Sequence, residues 1–310
     1  MNQSDRQRRL SRVAPFVGVL IGVAGVAFVT RTLVSRWDDV RESFSRVDLL
    51  PLVASLLVGQ AAMTLIGAVW VHLLQSRGHD APRRRAMSWY YVGQLGKYVP
   101  GGIWPIVGRA ELAVRGGVAR GDAYRATAYS LISTYGAACV AVGIGSAASW
   151  THPVVGLVVL AGVVSGWFVL GSGKFIDRIT SVTARLGGRS VSFPPRKEFF
   201  VLTAIHVPAW LMMSLSTSIT AQAFGAEISL ARMLFVTSLS WLAGFVVVGV
   251  PGGIGVRESV FTALAGATIG TPLAVSLALV SRVVFVSVDL IGAAVASAVA
   301  VASRPGSAED

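Results

Sequence analysis

The chain has 310 residues, of which 54% are hydrophobic and only 14% charged, and its mean hydropathy is +0.67. That mix excludes an ordinary soluble globular domain. The formal net charge of +12 would suit nucleic acid, but the basic residues cluster at the ends of apolar runs without interleaved aromatic stacking groups. They are therefore assigned to membrane topology and to attraction for anionic headgroups.

A hydrocarbon core of about 30 Å is crossed by about 20 helical residues. Stretches of that kind fall at 13–34, 49–74, 122–147, 154–171, 198–222 and 272–300. The first follows Arg6, Arg8, Arg9 and Arg12 and so mimics a signal peptide. It is too long, however, and ends in Thr30-Arg31-Thr32 rather than a small-residue cleavage site, which predicts a retained first helix. Two further stretches, 86–108 and 233–256, each enclose the motif Pro-Gly-Gly-Ile, at Pro100-Gly101-Gly102-Ile103 and Pro251-Gly252-Gly253-Ile254. The expected fold is an all-α integral membrane protein of about 6–8 transmembrane helices, forming one polytopic domain over residues 1–310.

The two motifs sit in matching contexts. Ser88-Trp89 is echoed by Ser240-Trp241 upstream, and an arginine and a glutamate follow each motif, Arg109 with Glu111 and Arg257 with Glu258. Tyr129 to Ser133 and Ala278 to Ser281 close the alignment, giving an internal repeat of approximately 49–147 and 198–300.

Charge counting then predicts an orientation. With the basic N-terminus in the cytoplasm, the loop from Arg77 to Arg85 lies inside. A full crossing at 86–108 would leave Arg109, Arg115, Arg120 and Arg125 outside, against the positive-inside rule; an element that dips in and returns keeps them inside. The strongly basic segment 174–197 is also inside, so the second motif is approached from the outer face, where its flanking charges balance. The reading is two re-entrant elements in an inverted-topology repeat. Full crossings at both motifs, giving eight spans, are the alternative.

Proline removes a backbone donor and glycine adopts shapes other residues cannot, so each Pro-Gly-Gly ends a helix and frees backbone polar groups. Inside a bilayer such backbone survives only against protein or a water-filled cavity. A helix restarting after the break offers its amide-rich end to an anion, and Arg109 and Arg257 add a planar fork that fits phosphate. Pro100, Gly101, Gly102, Pro251, Gly252 and Gly253, with Arg109, Glu111, Arg257 and Glu258, are the expected substrate-binding set. The plainer alternative is a helix kink and an interfacial arginine.

Arg282 and Asp289, two turns apart on one face of the last helix, join the set because they are costly in lipid unless paired or facing a cavity. Lys97, before the first break, neutralises a headgroup or reaches the interface. His206 is expected to be a packing residue, Gln60 and Gln94 interhelical hydrogen-bonders with lining of a path as the alternative, and Trp37 and Trp150 interfacial anchors.

The single cysteine, Cys139, and four scattered histidines offer no disulfide framework or metal-type spacing. The run Gly171-Ser172-Gly173-Lys174 fails as a phosphate loop because Phe168 and Phe175 occupy required positions. No catalytic group, metal or cofactor is expected.

The stretch Gly96 to Gly102 leading to Gly108-Arg109, the stretch Val250 to Glu258 and the run Val280-Ser281-Arg282 resemble the flippase-like transmembrane region of lysylphosphatidylglycerol synthases. The resemblance covers nearly the whole chain and implies translocation of a modified phospholipid or polyprenyl-linked sugar. The synthase domain of the full-length enzymes is absent, so lipid aminoacylation is not implied. An Asp-Arg-type pair expected after the first motif is replaced by Ser133-Thr134-Tyr135. The expected function is a non-enzymatic lipid translocase without its own ATPase in the cell membrane, acting on an anionic or phosphate-bearing headgroup. The alternative is a non-transporting scaffold subunit of a membrane glycosyltransferase or lipid-modifying enzyme.

Overall fold

A computed structural model describes residues 31, 34, 35, 37, 38, 41, 42, 47–99, 103–149, 153–170, 195–247 and 251–303. The predicted first helix, the Pro100-Gly101-Gly102 break, the Trp150 anchor and the basic stretch before residue 195 lie outside the described residues, apart from the scattered positions just given. Every regular element among the described residues is helical.

Helix α1, Leu49–Gln75, starts where the Asp48 side chain accepts a hydrogen bond from the Leu50 amide at 3.0 Å. The chain then breaks repeatedly: α2 covers Arg83–Gln94, a tight 3₁₀ turn covers Leu95–Tyr98, and α3 covers Trp104–Arg115. Three long or apolar helices follow, α4 over Arg120–Ala148, α5 over Pro153–Leu170 and α6 over Arg196–Ala223. Then come α7, Leu230–Val246, a short turn at Pro251–Gly253, α8, Val256–Ile269, and α9, Thr271–Ala302.

Four of these, α1, α4, α6 and α9, are long and apolar enough to cross a membrane. The expectation of six to eight spans is met only in part, because the first stretch lies outside the described residues and the two motif regions are not continuous helices. Helices of 12 residues, such as α2 and α3, are about 18 Å long, well short of a hydrocarbon core.

Helices α1 and α6 run antiparallel. Asp48 N donates to the Ala223 carbonyl at one end, and Arg77 approaches Glu198 at 3.8 Å at the other. Between these points Ser55 Oγ meets Thr220 Oγ1 at 2.6 Å and donates to the Ser216 carbonyl at 2.9 Å. Lipid tails are as apolar as leucine, so association inside a bilayer depends on such bonds and on close approach. Glycines supply the approach elsewhere: a Cβ on Gly145 of α4 would fall 2.5 Å from the Phe235 amide nitrogen of α7. Large apolar side chains such as Val53, Leu57, Val283 and Leu290 are exposed on the outer surface, as a lipid-facing surface requires.

The two motif regions each fold back as a hairpin. In the first, the backbone of α3 lies against the glycines of α2 and its turn: a Cβ on Gly93 would sit 2.7 Å from Arg109 Cβ, and one on Gly96 would sit 2.7 Å from the Trp104 carbonyl carbon. In the second, Gly244 and Gly253 meet, and Arg232 of α7 reaches the Leu264 carbonyl of α8 at 3.4 Å. The open end of the first hairpin lies beside Gln75 and Ser303, through Arg83 and Arg84. The open end of the second lies at the opposite end of the bundle, where α6 finishes. Their tips meet in the middle, with the Lys97 carbonyl 3.5 Å from where a Cβ on Gly252 would stand.

Candidate functional site

A cavity of about 410 Å³ opens where the tips meet, with walls that include Lys97, Arg109, Tyr135, Trp241, Arg257 and Arg282. The hairpins supply most of it, α4 contributes Tyr135, and α9 contributes Arg282 and Phe285.

Local conformation sets the positions. In the second break Gly252, Gly253 and Gly255 have φ of 55°, 68° and 82°, the left-handed region that glycine tolerates. The resulting turn directs the chain straight into α8. There Glu258 Oε2 accepts from the Gly255 amide at 2.7 Å, closing the first turn of the helix. Its other oxygen, Oε1, pairs with Arg282 Nη1 at 3.1 Å, and that nitrogen also donates to the Gly252 carbonyl at 2.8 Å. Glu258 and Arg282 thus pin the break and the helix after it to α9.

A second ion pair ties the first hairpin to the same helix. Lys97 Nζ lies 2.6 Å from Asp289 Oδ2, which also accepts from the Tyr98 hydroxyl. Arg282 and Asp289, expected to be paired or to face a cavity, are both paired, each with a partner on a different hairpin, and Arg282 also lines the cavity. Asp289 Oδ1 is buried without a partner among the described residues, and Asp289 is not part of the cavity wall.

Arg109 and Arg257 differ from these. Both are buried, at 4% and 8% exposure, and neither makes an ion pair among the described residues. Each lies against aromatic rings instead. The Arg109 Cζ is 4.8 Å from the Tyr90 ring centre and 5.7 Å from that of Trp70. The Arg257 Cζ is 3.9 Å from the Trp241 ring centre and 5.4 Å from that of Phe285. Arg109 Nε has no hydrogen-bond partner among the described residues. Stacking engages the guanidinium face and leaves its in-plane N–H donors available.

Two expected residues are placed elsewhere or differently. Glu111 points away from the cavity, binding Arg120 at 3.0 Å and the Tyr124 hydroxyl at 2.7 Å, so it is not the counterpart of Glu258. Of the two tryptophans in the Ser-Trp echo, Trp241 lines the cavity, whereas Trp89 packs against Gly116. His206 is fully buried with Nδ1 on the Leu202 carbonyl at 2.7 Å, a packing role, and Gln60 donates to the Tyr91 hydroxyl between helices, whereas Gln94 donates to Tyr90 within its own helix and lines the cavity.

Sequence reasoning missed the aromatic walls. Trp241 was visible only as a marker of the repeat, and Tyr135, stacked on Phe245 with ring centres 3.7 Å apart, carried no signal beyond standing where an Asp-Arg-type pair was expected. Gly93 and Gly244 were findable, as small residues on short helices each leading into a break and an arginine.

The cavity thus combines buried cations with walls built largely from short helices. A search among curated proteins returns no match. Over residues 16–292 the sequence matches the family described as Lysylphosphatidylglycerol synthase TM region, a description that points to a membrane lipid-related role. Because that match spans most of its length, the chain belongs to the lysylphosphatidylglycerol synthase TM region family.

Proposed function

We propose that this protein moves a phosphate-bearing lipid between membrane leaflets, passing the headgroup through the cavity between the hairpin tips. The observation that carries the proposal is the pair of buried guanidinium groups, Arg109 and Arg257, facing one cavity with no carboxylate in ion-pair contact with either among the described residues. A central arginine in a bilayer costs at least about 2.5–3.5 kcal/mol unless it is compensated. An anionic ligand supplies that compensation.

The cavity mouth favours a lipid over a soluble anion. Ile103, Trp104, Phe245 and Val246 are exposed around the tips, with Val246 at 71%. Acyl chains remain in the bilayer against these side chains while the headgroup enters between the arginines. In this reading each hairpin is a re-entrant element and the basic end of the bundle faces the cytoplasm. Rocking of one hairpin against the other opens the cavity to one leaflet and then to the other.

The test is leaflet exchange of fluorescent phosphatidylglycerol in vesicles containing only the purified chain. Exchange above protein-free vesicles, lost in the Arg109→Gln/Arg257→Gln double variant at equal protein incorporation, is the expected outcome. Absence of exchange by the intact chain overturns the translocator reading and leaves the scaffold role.

A further inference from the structure

Charge balance at the cavity points to a narrower ligand class, on the premise that the cavity takes a lipid headgroup. The charged groups on every element at the site can be counted. The first hairpin brings Lys97 and Arg109, the second Arg257 and Glu258, and α9 brings Arg282 and Asp289. The neutral titratable neighbours are Tyr90 and Tyr98 on the first hairpin and Tyr135 on α4, with buried His206 of α6 on the Arg109 side.

Lys97 is matched by Asp289 and Arg282 by Glu258, each within 3.1 Å. Two positive charges, one on each hairpin, are left over. A phosphodiester headgroup such as phosphatidylglycerol carries one negative charge and leaves one guanidinium uncompensated. A terminal phosphate monoester carries about −1.5 to −2 near neutral pH and presents three acceptor oxygens.

We propose that the preferred substrate is a lipid ending in a phosphate monoester, held with Arg109 on one side and Arg257 on the other. The Arg109 guanidinium at the cavity wall and the edge of the stacked Arg257 supply the donors. Charge-assisted bonds of this kind to a second arginine make the monoester bind on the order of ten- to a hundred-fold more tightly than a diester. The chemistry of the bound group is shared by a free phosphate ion; the exposed apolar rim at Ile103, Trp104, Phe245 and Val246 selects the lipid source.

The experiment compares tail-labelled phosphatidic acid with tail-labelled phosphatidylglycerol in vesicles carrying the purified full chain, at probe levels below saturation. Initial exchange is expected to be at least about tenfold faster for phosphatidic acid. It should fall as the pH drops through the second ionisation of that lipid, measured on the same vesicles, while exchange of phosphatidylglycerol over the same range reports any titration of the protein. Either Arg109→Gln or Arg257→Gln alone should erase the preference, because one remaining charge suits a diester as well as a monoester. Inorganic phosphate should compete far more weakly than short-chain phosphatidic acid.

Equal exchange of the two lipids by the intact chain overturns this inference while leaving the translocator reading standing. A preference that survives in both single variants overturns it as well. Competition by inorganic phosphate as strong as by short-chain phosphatidic acid overturns the lipid assignment.

Discussion

Replacing Arg257 by lysine keeps the charge and removes the shape, and the structure states what that shape does. The Arg257 guanidinium lies 3.9 Å from the Trp241 ring centre in a site only 8% exposed. A planar guanidinium stacks there and still offers edge donors, whereas an ammonium is a point charge with three rotatable donors. The loss is one charge-assisted hydrogen bond, about 1.5–3 kcal/mol, with part of a desolvated cation–π contact of about 2 kcal/mol added to it. In headgroup binding that is between about tenfold and a few hundredfold. Arg257→Lys should therefore slow leaflet exchange by at least about tenfold, Arg257→Ala more, and Arg109→Lys to a similar degree. Arg115→Lys, at the exposed end of α3, is the matched control and should exchange normally. Membrane abundance, followed by immunoblot, should change little in all of them. Near-normal exchange in both lysine variants would refute the reasoning, because an arginine that merely reaches the interface is replaced by lysine at almost no cost.

Three further perturbations follow from the same geometry. Asp289→Asn strands Lys97, whose partner lies 2.6 Å away, and breaking a buried pair costs about 3–5 kcal/mol; the melting temperature in detergent should drop, and adding Lys97→Met should restore most of it. Gly93→Ala places a Cβ 2.7–2.9 Å from Arg109 Cβ and backbone, a clash of about 1–3 kcal/mol, whereas Gly121→Ala meets nothing within 4 Å and should melt normally. Single cysteines at Arg84 and Arg115, in a Cys139→Ser background, should both react with an impermeant reagent from one side of the membrane, and cysteines at Glu227 and Thr268 from the other. Labelling of Arg84 and Arg115 from opposite sides would establish a full crossing and remove the re-entrant hairpin.

The long elements were legible because the bilayer imposes length and apolarity together: the predicted 49–74, 122–147, 198–222 and 272–300 differ from α1, α4, α6 and α9 by no more than two residues at either end. The second break was legible from Pro251-Gly252-Gly253, since proline and glycine act locally. What failed depended on side-chain partners, which local sequence does not encode. Glu111 and Glu258 look equivalent beside their arginines, yet Glu258 caps α8 and holds Arg282, while Glu111 turns to Tyr124. For Arg282 and Asp289 the need for a partner was legible, but its identity, Glu258 and Lys97, was not. The aromatic bed of Arg109 comes from α1 and α2 and that of Arg257 from α7 and α9, and only packing brings rings from two helices onto each guanidinium.

The central claim is that a lipid headgroup occupies the space between the hairpin tips. The most direct measurement is photo-crosslinking in vesicles with a phospholipid whose reactive group sits on the headgroup, followed by mapping of the adducts by mass spectrometry. The account predicts adducts on Tyr135, Trp241 and Phe245, suppressed by excess unlabelled lipid and absent from the Arg109→Gln/Arg257→Gln variant. Adducts confined to outward-facing residues such as Leu57, Val283 and Leu290, with none on the cavity wall, would contradict it.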